Sequence, residues 1–448
     1  MIEERGYRLK TILPALGVGL LTVAFIMSKT GRDALFFQGK GILQLPLAYM
    51  AIGVSSVPGA FLYVQAMKIW GARPSRVGIL IFTAGAMAAF VPFLRPGHYP
   101  VLLSFFIFVP TTFGILFASM WLLASDVLEN APKTAAARSF SQIGASSLAG
   151  GTAGGVLAKA LSSYLDPKLL VFLGALVTLI VAGLVIHMHQ KFPSNIAPAG
   201  NNKGSEKTRL SSVLSKKYAR TLLLISMAGA LAGLFIDFQF YATASSIRMG
   251  SKGNANFFAN FYILPNLSSL LIQLFLAPKI QDRLGLRGGL LILPLALLGS
   301  ASFVTAVATA LTRSVLKVTE SGLKSSIHRS MWEQAFIPVD SEERSFVKVF
   351  VDGIGARFAE GIGATLLFLW LTTMEVGDPS SLNTIWIAWA VLATAAVWLL
   401  LTRGLRVEIA PEPAPRKVAL APADEREAQC ARFPDQCPCT TEWGKGIK

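Results

Sequence analysis

Residues 316–334 read LKVTESGLKSSIHRSMWEQ. The stretch is rich in charged side chains, yet strongly apolar segments flank it on both sides. It is therefore either a charged loop outside a membrane or a charged helix within one. The fold of the whole chain depends on which of the two is correct.

A short internal repeat favours the helix. Ser-Met-Trp at 119–121 recurs at 330–332, about 210 residues later. This spacing is roughly half the length of the chain, which is long enough for more than one domain. In that register the charged stretch aligns with FFIFVPTTFGILFASMWLL at 105–123, an apolar segment of membrane-spanning length. Two further matches keep the same order: the basic stretches that begin at Lys68 and Lys279, and Arg-Ser-Phe at 138–140 and 344–346.

Composition places the chain among membrane proteins. Of its 448 residues 53% are hydrophobic and 15% are charged, and the mean hydropathy is +0.55, whereas soluble domains have about 25% charged residues. The net charge of +16 would indicate nucleic acid as a partner of a soluble protein. Because Lys and Arg gather here in loops between apolar segments, we expect the partner of this protein to be the lipid bilayer and not nucleic acid.

Apolar runs predict an all-α membrane protein with about twelve transmembrane helices. The expected limits are 11–31, 42–67, 77–94, 99–125, 139–163, 168–188, 220–245, 256–279, 288–310, 313–337, 345–373 and 382–403. The predicted domains are an N-terminal six-helix half (1–190), a cytoplasmic linker (191–219), a C-terminal six-helix half (220–403) and a disordered cytoplasmic tail (404–448). The loop charges predict an inner-membrane protein with both termini in the cytoplasm. Two parallel six-helix repeats resemble the major facilitator fold, in which substrate binds between the halves near the midplane.

The charged stretch has one polar face. Lys317, Glu320 and Lys324, followed by His328, recur at helical spacing, so Glu320 has a lysine three residues before it and another four residues after it. Charges inside a membrane cost free energy unless they are paired or hydrated. The face is therefore predicted to line a water-filled cavity; the alternative is an interfacial segment whose long side chains reach the membrane surface.

Span eleven carries two more pairs at helical spacing. Lys348 and Asp352 are four residues apart, and Arg357 and Glu360 are three apart. Arg357 is the side chain most expected to meet an anion, because its guanidinium stays charged and binds phosphate or carboxylate through two hydrogen bonds. The alternative is an internal Arg357–Glu360 pair that holds helices together.

Charged residues also occur in spans one and seven. Lys29, Arg32 and Asp33 lie near the outer end of span one, either as part of the site or as a cluster at the membrane interface. Asp237 is a lone carboxylate in the apolar span seven. It is suited to carry a proton or to hold a partner such as Arg357.

Glycines in span five recur at GxxxG spacing, at Gly150 and Gly154 and at Gly151 and Gly155. A Walker phosphate loop is excluded, because no strand precedes these glycines and no lysine follows them. They predict close packing of helices, as do the glycines of span eleven. No catalytic motif or metal-ligand cluster occurs in the sequence, so we expect no enzyme, no cofactor and no metal site.

The second half resembles a known family. WEQAFIPVDSEERSFVKVFVDGIGARFAE, at 332–360, is similar to the segment after the tenth helix in the ATP/ADP translocases of plastids and intracellular bacteria. Lys324 falls on a lysine of that family, and Arg32-Asp33 resembles a Lys-Asp pair at the end of its first helix. The matching or nearly matching positions in the segment are Glu333, Ala335, Phe336, Ile337, Pro338, Asp340, Glu343, Lys348, Asp352, Gly355 and Arg357.

The resemblance implies a fold and a cargo. Those translocases have twelve helices, resemble the major facilitator fold, and exchange or import nucleotides, chiefly ATP for ADP. The chain departs from them at Glu360 and at Tyr49, where the family has lysines, and in span four, which lacks the family's glutamate. It therefore resembles a divergent bacterial member, whose cargo can differ from ATP.

Together these patterns predict a secondary transporter that works by alternating access and binds a small anionic substrate, with a nucleotide as the first candidate. The predicted substrate-binding residues are Lys324, Arg357, Arg32 and Lys317. The predicted coupling or gating residues are Asp33, Asp237, Glu320, Asp352, Glu360, Lys348 and Glu333. Two alternatives stay open: a major facilitator transporter of another organic anion, with or without proton coupling, and a membrane sensor or scaffold that transports nothing.

Overall fold

The computed structural model describes residues 2–38, 41–128, 133–192, 216–246, 250–339, 347–374 and 384–405. Over these ranges the chain folds into helices joined by short turns, so the predicted all-α class is confirmed. Most of the predicted linker, the tail beyond residue 405 and the Arg-Ser-Phe match at 344–346 lie outside the described residues.

Six helices form the N-terminal part of the bundle, and we call them the N-terminal helices. They are α1 (Ile2–Phe36), α2 (Gly41–Trp70), α3 (Ala72–Phe90), α4 (Tyr99–Val127), α5 (Lys133–Ser162) and α6 (Pro167–Lys191). Proline stands in the first turn of α4 and α6, where a missing backbone N–H costs little. Gly71, with φ of +86°, provides the left-handed residue that ends α2 and lets α3 follow at once.

The remaining helices, the C-terminal helices, contain three wider π-helical turns. They are α7 (Lys217–Ser246); α8 (Ser251–Leu271), which continues through the π turn Ile272–Leu276; α9 (Ala277–Ala306); α10, made of Ala310–Leu323, the π turn Lys324–His328 and Arg329–Gln334; α11, made of the π turn Val349–Gly355 and Ala356–Thr373; and α12 (Ile385–Gly404). The charged stretch 316–334 is therefore helical, as the repeat predicts.

The predicted number of twelve spans is not confirmed. Among the described residues, nine segments are long and apolar enough to cross a membrane. One of them, Ser251–Ala306, has 56 residues, covers two predicted spans and breaks at Gly285, where φ is +62°. Neither α5 nor α10 is among the nine, because α5 is rich in glycine and serine and α10 carries the charges.

Packing joins the two sets of helices along two seams. Within each set, α1 packs against α4, α5 and α6, and α7 packs against α10, α11 and α12. Between the sets, α8 packs against α5 and α1, and α11 packs against α2. Residues Met1–Arg406 form one compact unit, so the division into two halves at 190 and 220 stays a prediction.

The glycines of α5 allow the first seam. A Cβ at Gly151 would collide with the Asn266 side chain, and one at Gly155 would lie 2.7 Å from Ile263 Cγ1, both on α8. The opposite face, with Gly150 and Gly154, meets α1 in the same way. The close packing predicted for α5 is confirmed.

The glycines of α11 follow that prediction only in part. Gly355 and Gly363 pack against leucines of α7, whereas a Cβ at Gly353 or Gly361 would have no neighbour within 4 Å.

We call the side of the bundle on which α1 begins the terminal side, and the side on which α1 ends the distal side.

Candidate substrate site

Four charged residues of α7 and α10 form a continuous chain of ion pairs. Lys317 Nζ lies 2.8 Å from Asp237 Oδ1 and 2.6 Å from Glu320 Oε2, and Lys324 Nζ lies 3.0 Å from Glu320 Oε1. Ser321 Oγ also donates to Glu320 Oε2, at 2.9 Å. We call these four charged residues the charged chain. Both pairs expected within α10 are present, but Asp237 pairs with Lys317 rather than with Arg357.

The charged chain lies within the bundle. Glu320 is only 3% exposed, and Lys317 turns towards α7 rather than towards a membrane surface. A Cβ on Gly233 of α7 would lie 3.1 Å from Lys324 Nζ, so that ammonium also faces α7. Its side chain is nevertheless 49% exposed, although it lies at the middle of a helix. The charged residues therefore pair within the bundle rather than snorkel to a membrane surface, and the water-filled cavity stays a prediction.

A second charged cluster lies at the distal end of α1. Arg32 Nη2 lies 2.6 Å from Asp33 Oδ1, and the Arg32 guanidinium stacks 3.9 Å from the centre of the Phe106 ring of α4. Tyr262 Oη of α8 and, at 3.3 Å, Tyr241 Oη of α7 donate to Asp33 Oδ2. Asp33 is 0% and Arg32 5% exposed, so this is a buried contact between the two sets of helices rather than an interfacial cluster.

Aromatic rings surround that contact. Phe37 stacks on Tyr241 with ring centres 4.3 Å apart, and its ring centre lies 5.9 Å from that of Phe258 on α8. Asn254 Nδ2 of α8 donates to the Ala34 carbonyl of α1 at 3.4 Å. We call Asp33, Phe37, Tyr241, Phe258 and Tyr262 the distal contact. It joins α1 to α7 and α8 on the distal side.

Lys29 lies between the charged chain and the distal contact. Its Nζ lies 4.2 Å from the centre of the Tyr262 ring, an arrangement that a cation and an aromatic face favour. It interacts electrostatically with Asp33 on one side and with Asp237 on the other. Among the described residues, no carboxylate forms an ion pair with Lys29.

Arg357 and Glu360 of α11 form an ion pair of 2.7 Å, with side chains 47% and 26% exposed. The alternative of an internal pair is therefore the arrangement in the structure. Arg357 lies beside α2, where a Cβ at Gly53 would be 3.9 Å from the Arg357 carbonyl oxygen. Tyr49, one helical turn earlier on α2, interacts electrostatically with both Glu360 and Asp237. The two ion-paired groups thus adjoin the same part of α2.

The remaining predicted residues lie towards the terminal side. Lys348 pairs with Glu333, and Trp332 Nε1 donates to Asp352 Oδ1 at 2.7 Å. Lys348 and Asp352, which lie four residues apart in the sequence, form no ion pair with each other. The π turn Val349–Gly355 widens the helix between them, so that residues four apart no longer share a face. These contacts fasten the end of α10 to the start of α11.

The tyrosines that bind Asp33 carry no signal in the sequence, because an aromatic hydroxyl in an apolar helix belongs to no motif. The prediction that His328 shares the polar face of α10 with Lys317, Glu320 and Lys324 is wrong, because the π turn Lys324–His328 widens the helix at this point. The His328 ring packs between Trp332 and Trp398, with ring centres at 5.8 Å and 5.3 Å, so it belongs to an aromatic cluster rather than to the charged chain. Over the described ranges, no group of His, Cys, Asp and Glu side chains is placed to hold a metal ion.

Residues 286–409 match the family model of the TLC ATP/ADP transporter. The matched region runs from α9 to the end of α12 and contains Lys317, Glu320, Lys324, Arg357 and Glu360. The resemblance to the ATP/ADP translocases is thereby confirmed over this part of the chain. No protein of curated function matches the sequence.

Solved transporters share the fold. The nucleoside transporter NupG superimposes with a TM-score of 0.58 at 14% identity, covering 88% of this chain and 98% of NupG; a point mutant of NupG gives 0.60, also at 14%, with 89% and 98% covered. A bacterial metal transporter gives 0.58 at 13%, with 88% and 98% covered. At such identities the likeness concerns the fold, which is major facilitator-like, as predicted.

The TLC match is to a family of transporters. Together with the apolar helices, it makes the chain a multi-pass membrane protein.

Proposed function

We propose that this protein is a secondary transporter of the inner membrane that carries nucleotides, or closely related small anions, by alternating access. The observation that carries this proposal is the charged chain. Four charged side chains, among them a glutamate that is 3% exposed, lie within helices that otherwise pack apolar residues. Charges at such a depth cost several kcal/mol unless they are paired, and they mark substrate or ion pathways in membrane proteins.

The substrate-binding role falls to the cations that remain accessible. Lys324 and Arg357 are both about half exposed, although each also has a carboxylate partner. Arg32 and Lys317 are more deeply buried and hold the Asp33 and Asp237 carboxylates in place. An anion that enters beside α7, α10 and α2 would meet Lys324 and Arg357 first.

The carboxylates suit a gating role. Asp33 on α1 accepts hydrogen bonds from tyrosines of α7 and α8, so the distal side can open only when those bonds break. Asp237, Glu320 and Glu360 each hold a cation that a substrate anion would otherwise bind. Exchange of these partners for the substrate links binding to movement of the helices.

We infer that the site opens on the terminal side. The distal contact closes the other side, whereas Lys324 and Arg357 are half exposed. At the terminal side, Glu333, Lys348 and Asp352 join α10 to α11 within the C-terminal helices. With both termini in the cytoplasm, as the loop charges predict, the site in this conformation faces the cytoplasm.

Nucleotides are the proposed cargo because the TLC ATP/ADP transporter match covers the helices that carry Lys324 and Arg357. The shared fold includes NupG, a nucleoside transporter. Nucleotides also present the phosphate oxygens that arginine and lysine bind best.

The test is uptake of labelled nucleotides into liposomes that contain the purified protein, with unlabelled nucleotide inside. We expect uptake that Lys324→Met and Arg357→Ala each reduce at least ~10-fold, since each loses an interaction worth about 1.4 kcal/mol or more. Lys168→Met removes an exposed lysine of α6 and should transport normally. Absence of uptake by folded protein would contradict the cargo, and full uptake by both site variants would contradict the site.

A further inference from the structure

The charges around the proposed site nearly cancel. Each of its carboxylates is held in an ion pair by a lysine or arginine. Lys29 is the cation at the site that no described carboxylate pairs with. The site therefore carries about one uncompensated positive charge. Its members are the cations Lys29, Arg32, Lys317, Lys324 and Arg357 and the carboxylates Asp33, Asp237, Glu320 and Glu360.

The isolation of Lys29 follows from its surroundings. Asp33, four residues later on α1, is the natural helical partner, but Arg32, Tyr241 and Tyr262 already occupy its oxygens. The Lys29 ammonium rests instead on the face of the Tyr262 ring, which holds a cation more weakly than a carboxylate does.

Another arginine nearby does not change this balance. Arg313 also forms no described ion pair, but it lies in the first turn of α10 and donates to the Thr243 hydroxyl at 3.1 Å. It thus belongs to the distal end of α7 and α10, one helical turn beyond Lys317. Lys29, by contrast, interacts with Asp237 and Lys317 as well as with Asp33.

We infer that the site selects an anion of low charge, a nucleoside monophosphate over a nucleoside triphosphate, and that Lys29 binds its phosphate. This inference rests on the proposed function. A phosphate monoester carries about −1.5 to −2 charge near pH 7, and each further phosphoryl group adds negative charge. In a buried site, charge without a counter-charge is strongly disfavoured.

A triphosphate would also have to compete with carboxylates for every other cation. Glu320 holds Lys317 and Lys324 at 2.6 Å and 3.0 Å, and Glu360 holds Arg357 at 2.7 Å. Displaced carboxylates would stay beside the incoming anion and repel it. A single phosphate that binds Lys29 has to displace fewer of these carboxylates than a triphosphate does.

Competition between substrates of increasing charge tests the inference. Uptake of labelled AMP and UMP into liposomes that contain the full chain is measured against unlabelled nucleoside, mono-, di- and triphosphate of the same base. We expect the monophosphate to compete at a ~10-fold lower concentration than the triphosphate or the nucleoside, which corresponds to about 1.4 kcal/mol. A triphosphate that competes equally well or better overturns the inference and leaves the proposed function standing. Absence of uptake of any nucleotide overturns both.

Two charge variants locate the effect. Lys29→Gln should abolish the preference for monophosphate over nucleoside, whereas Lys29→Arg should keep it. Glu360→Gln adds one net positive charge without touching Lys29, so the triphosphate should gain on the monophosphate by ~10-fold. Gel filtration and thermal unfolding verify that each variant is folded. If Lys29→Gln does not fold, the Glu360→Gln ratio decides, and an unchanged ratio there overturns the inference.

Discussion

Helices α4 and α10 occupy equivalent places in the internal repeat but present opposite chemistry. At three equivalent positions α4 has Phe106, Val109 and Phe113 where α10 has Lys317, Glu320 and Lys324. The three residues of α4 are at most 2% exposed, and Phe113 packs against Phe25 of α1 with ring centres 5.2 Å apart. The α10 residues form the charged chain instead.

The difference shows that equivalent helices of the repeat can have different roles, packing in α4 and binding in α10. At these three positions the apolar side chains of α4 fill space, and none of them needs a polar partner. In α10 every charge needs one, and a charge that has lost its partner is worse than no charge. Changes in α10 should therefore affect transport most, and changes in α4 should affect packing.

The largest effect is expected when Glu320, the central carboxylate of α10, is replaced by valine, the residue that α4 has at the equivalent position. Glu320→Val leaves Lys317 and Lys324 without their shared acceptor, so we expect loss of uptake and destabilisation by about 3–5 kcal/mol. Uptake in liposomes and thermal unfolding in detergent measure the two effects. Val109→Ile is the matched control in α4. Its added methyl group in a packed core should cost about 1–3 kcal/mol of stability and leave uptake intact. Normal uptake by Glu320→Val would contradict a role for the charged chain.

Conversion of the whole charged chain separates stability from function. Asp237→Asn, Lys317→Met, Glu320→Val and Lys324→Met together leave no member of the charged chain as an unpaired charge. Because well-packed apolar residues often replace buried ion pairs without loss, this variant should unfold at a higher temperature than Glu320→Val alone. Uptake should remain absent. Recovery of uptake along with stability would show that the charges serve the fold only.

The next effect concerns the distal contact. Tyr241→Phe with Tyr262→Phe removes two hydroxyl donors from Asp33, each worth about 1.5–3 kcal/mol as a bond to a charged group. The distal side should open more often, so a cysteine placed at Ala34, which is 0% exposed, should react faster with a membrane-impermeant maleimide.

The matched control for that experiment is Tyr63→Phe. It loses a 2.7 Å bond to Ser119 between α2 and α4, within the N-terminal helices. The three native cysteines are first replaced by serine. Equal labelling rates in the double variant and the control would show that the tyrosines do not hold the distal side closed.

A smaller effect is expected at the surface of α7 that meets α10. Gly233→Ala places a Cβ 3.1 Å from Lys324 Nζ and 3.4 Å from Glu320 Oε1, so the lysine must shift. We expect uptake to fall by ~10-fold, equivalent to about 1.4 kcal/mol, with little change in unfolding temperature. Gly361→Ala meets no atom within 4 Å and should leave uptake unchanged. Equal uptake by both would argue against close contact between α7 and the charged chain.

The smallest effect is expected in α4. Phe113→Leu replaces an aromatic side chain that is 1% exposed by a smaller apolar one. It should cost only about 1 kcal/mol of stability, because leucine still fills most of the space. Uptake should be retained, in contrast with Lys324→Met at the equivalent position of α10. Similar losses of uptake in both variants would mean that the two helices do not differ in function.

Local spacing explains what the sequence could predict about the site. The pairs of Glu320 with Lys317 and Lys324 depend only on helical geometry, once the repeat has identified α10 as a helix. The packing of α5 is also local, because Gly151 and Gly155 lack side chains whatever their neighbours are.

Contacts between helices were harder to predict. The partner of Asp237 is Lys317 rather than Arg357, because it depends on how α7 and α10 are rotated against each other. Lys348 pairs with Glu333 and not with Asp352, four residues later, because a π turn that no residue pattern marks lies between Lys348 and Asp352. The role of Tyr262 could not be predicted, because its hydroxyl binds Asp33, which is more than two hundred residues away in the sequence.

The π turn at Lys324–His328 has one more consequence for α10. A π turn holds an extra residue, and each residue of an α-helix turns the chain by about 100°. The side chains of α10 beyond the turn are therefore rotated about the helix axis relative to those before it. Lys317 and Glu320 reach α7, while Trp332 reaches Asp352 on α11. One helix, α10, thus contacts both α7 and α11. In a regular α-helix the side chains of one face would not reach both neighbours.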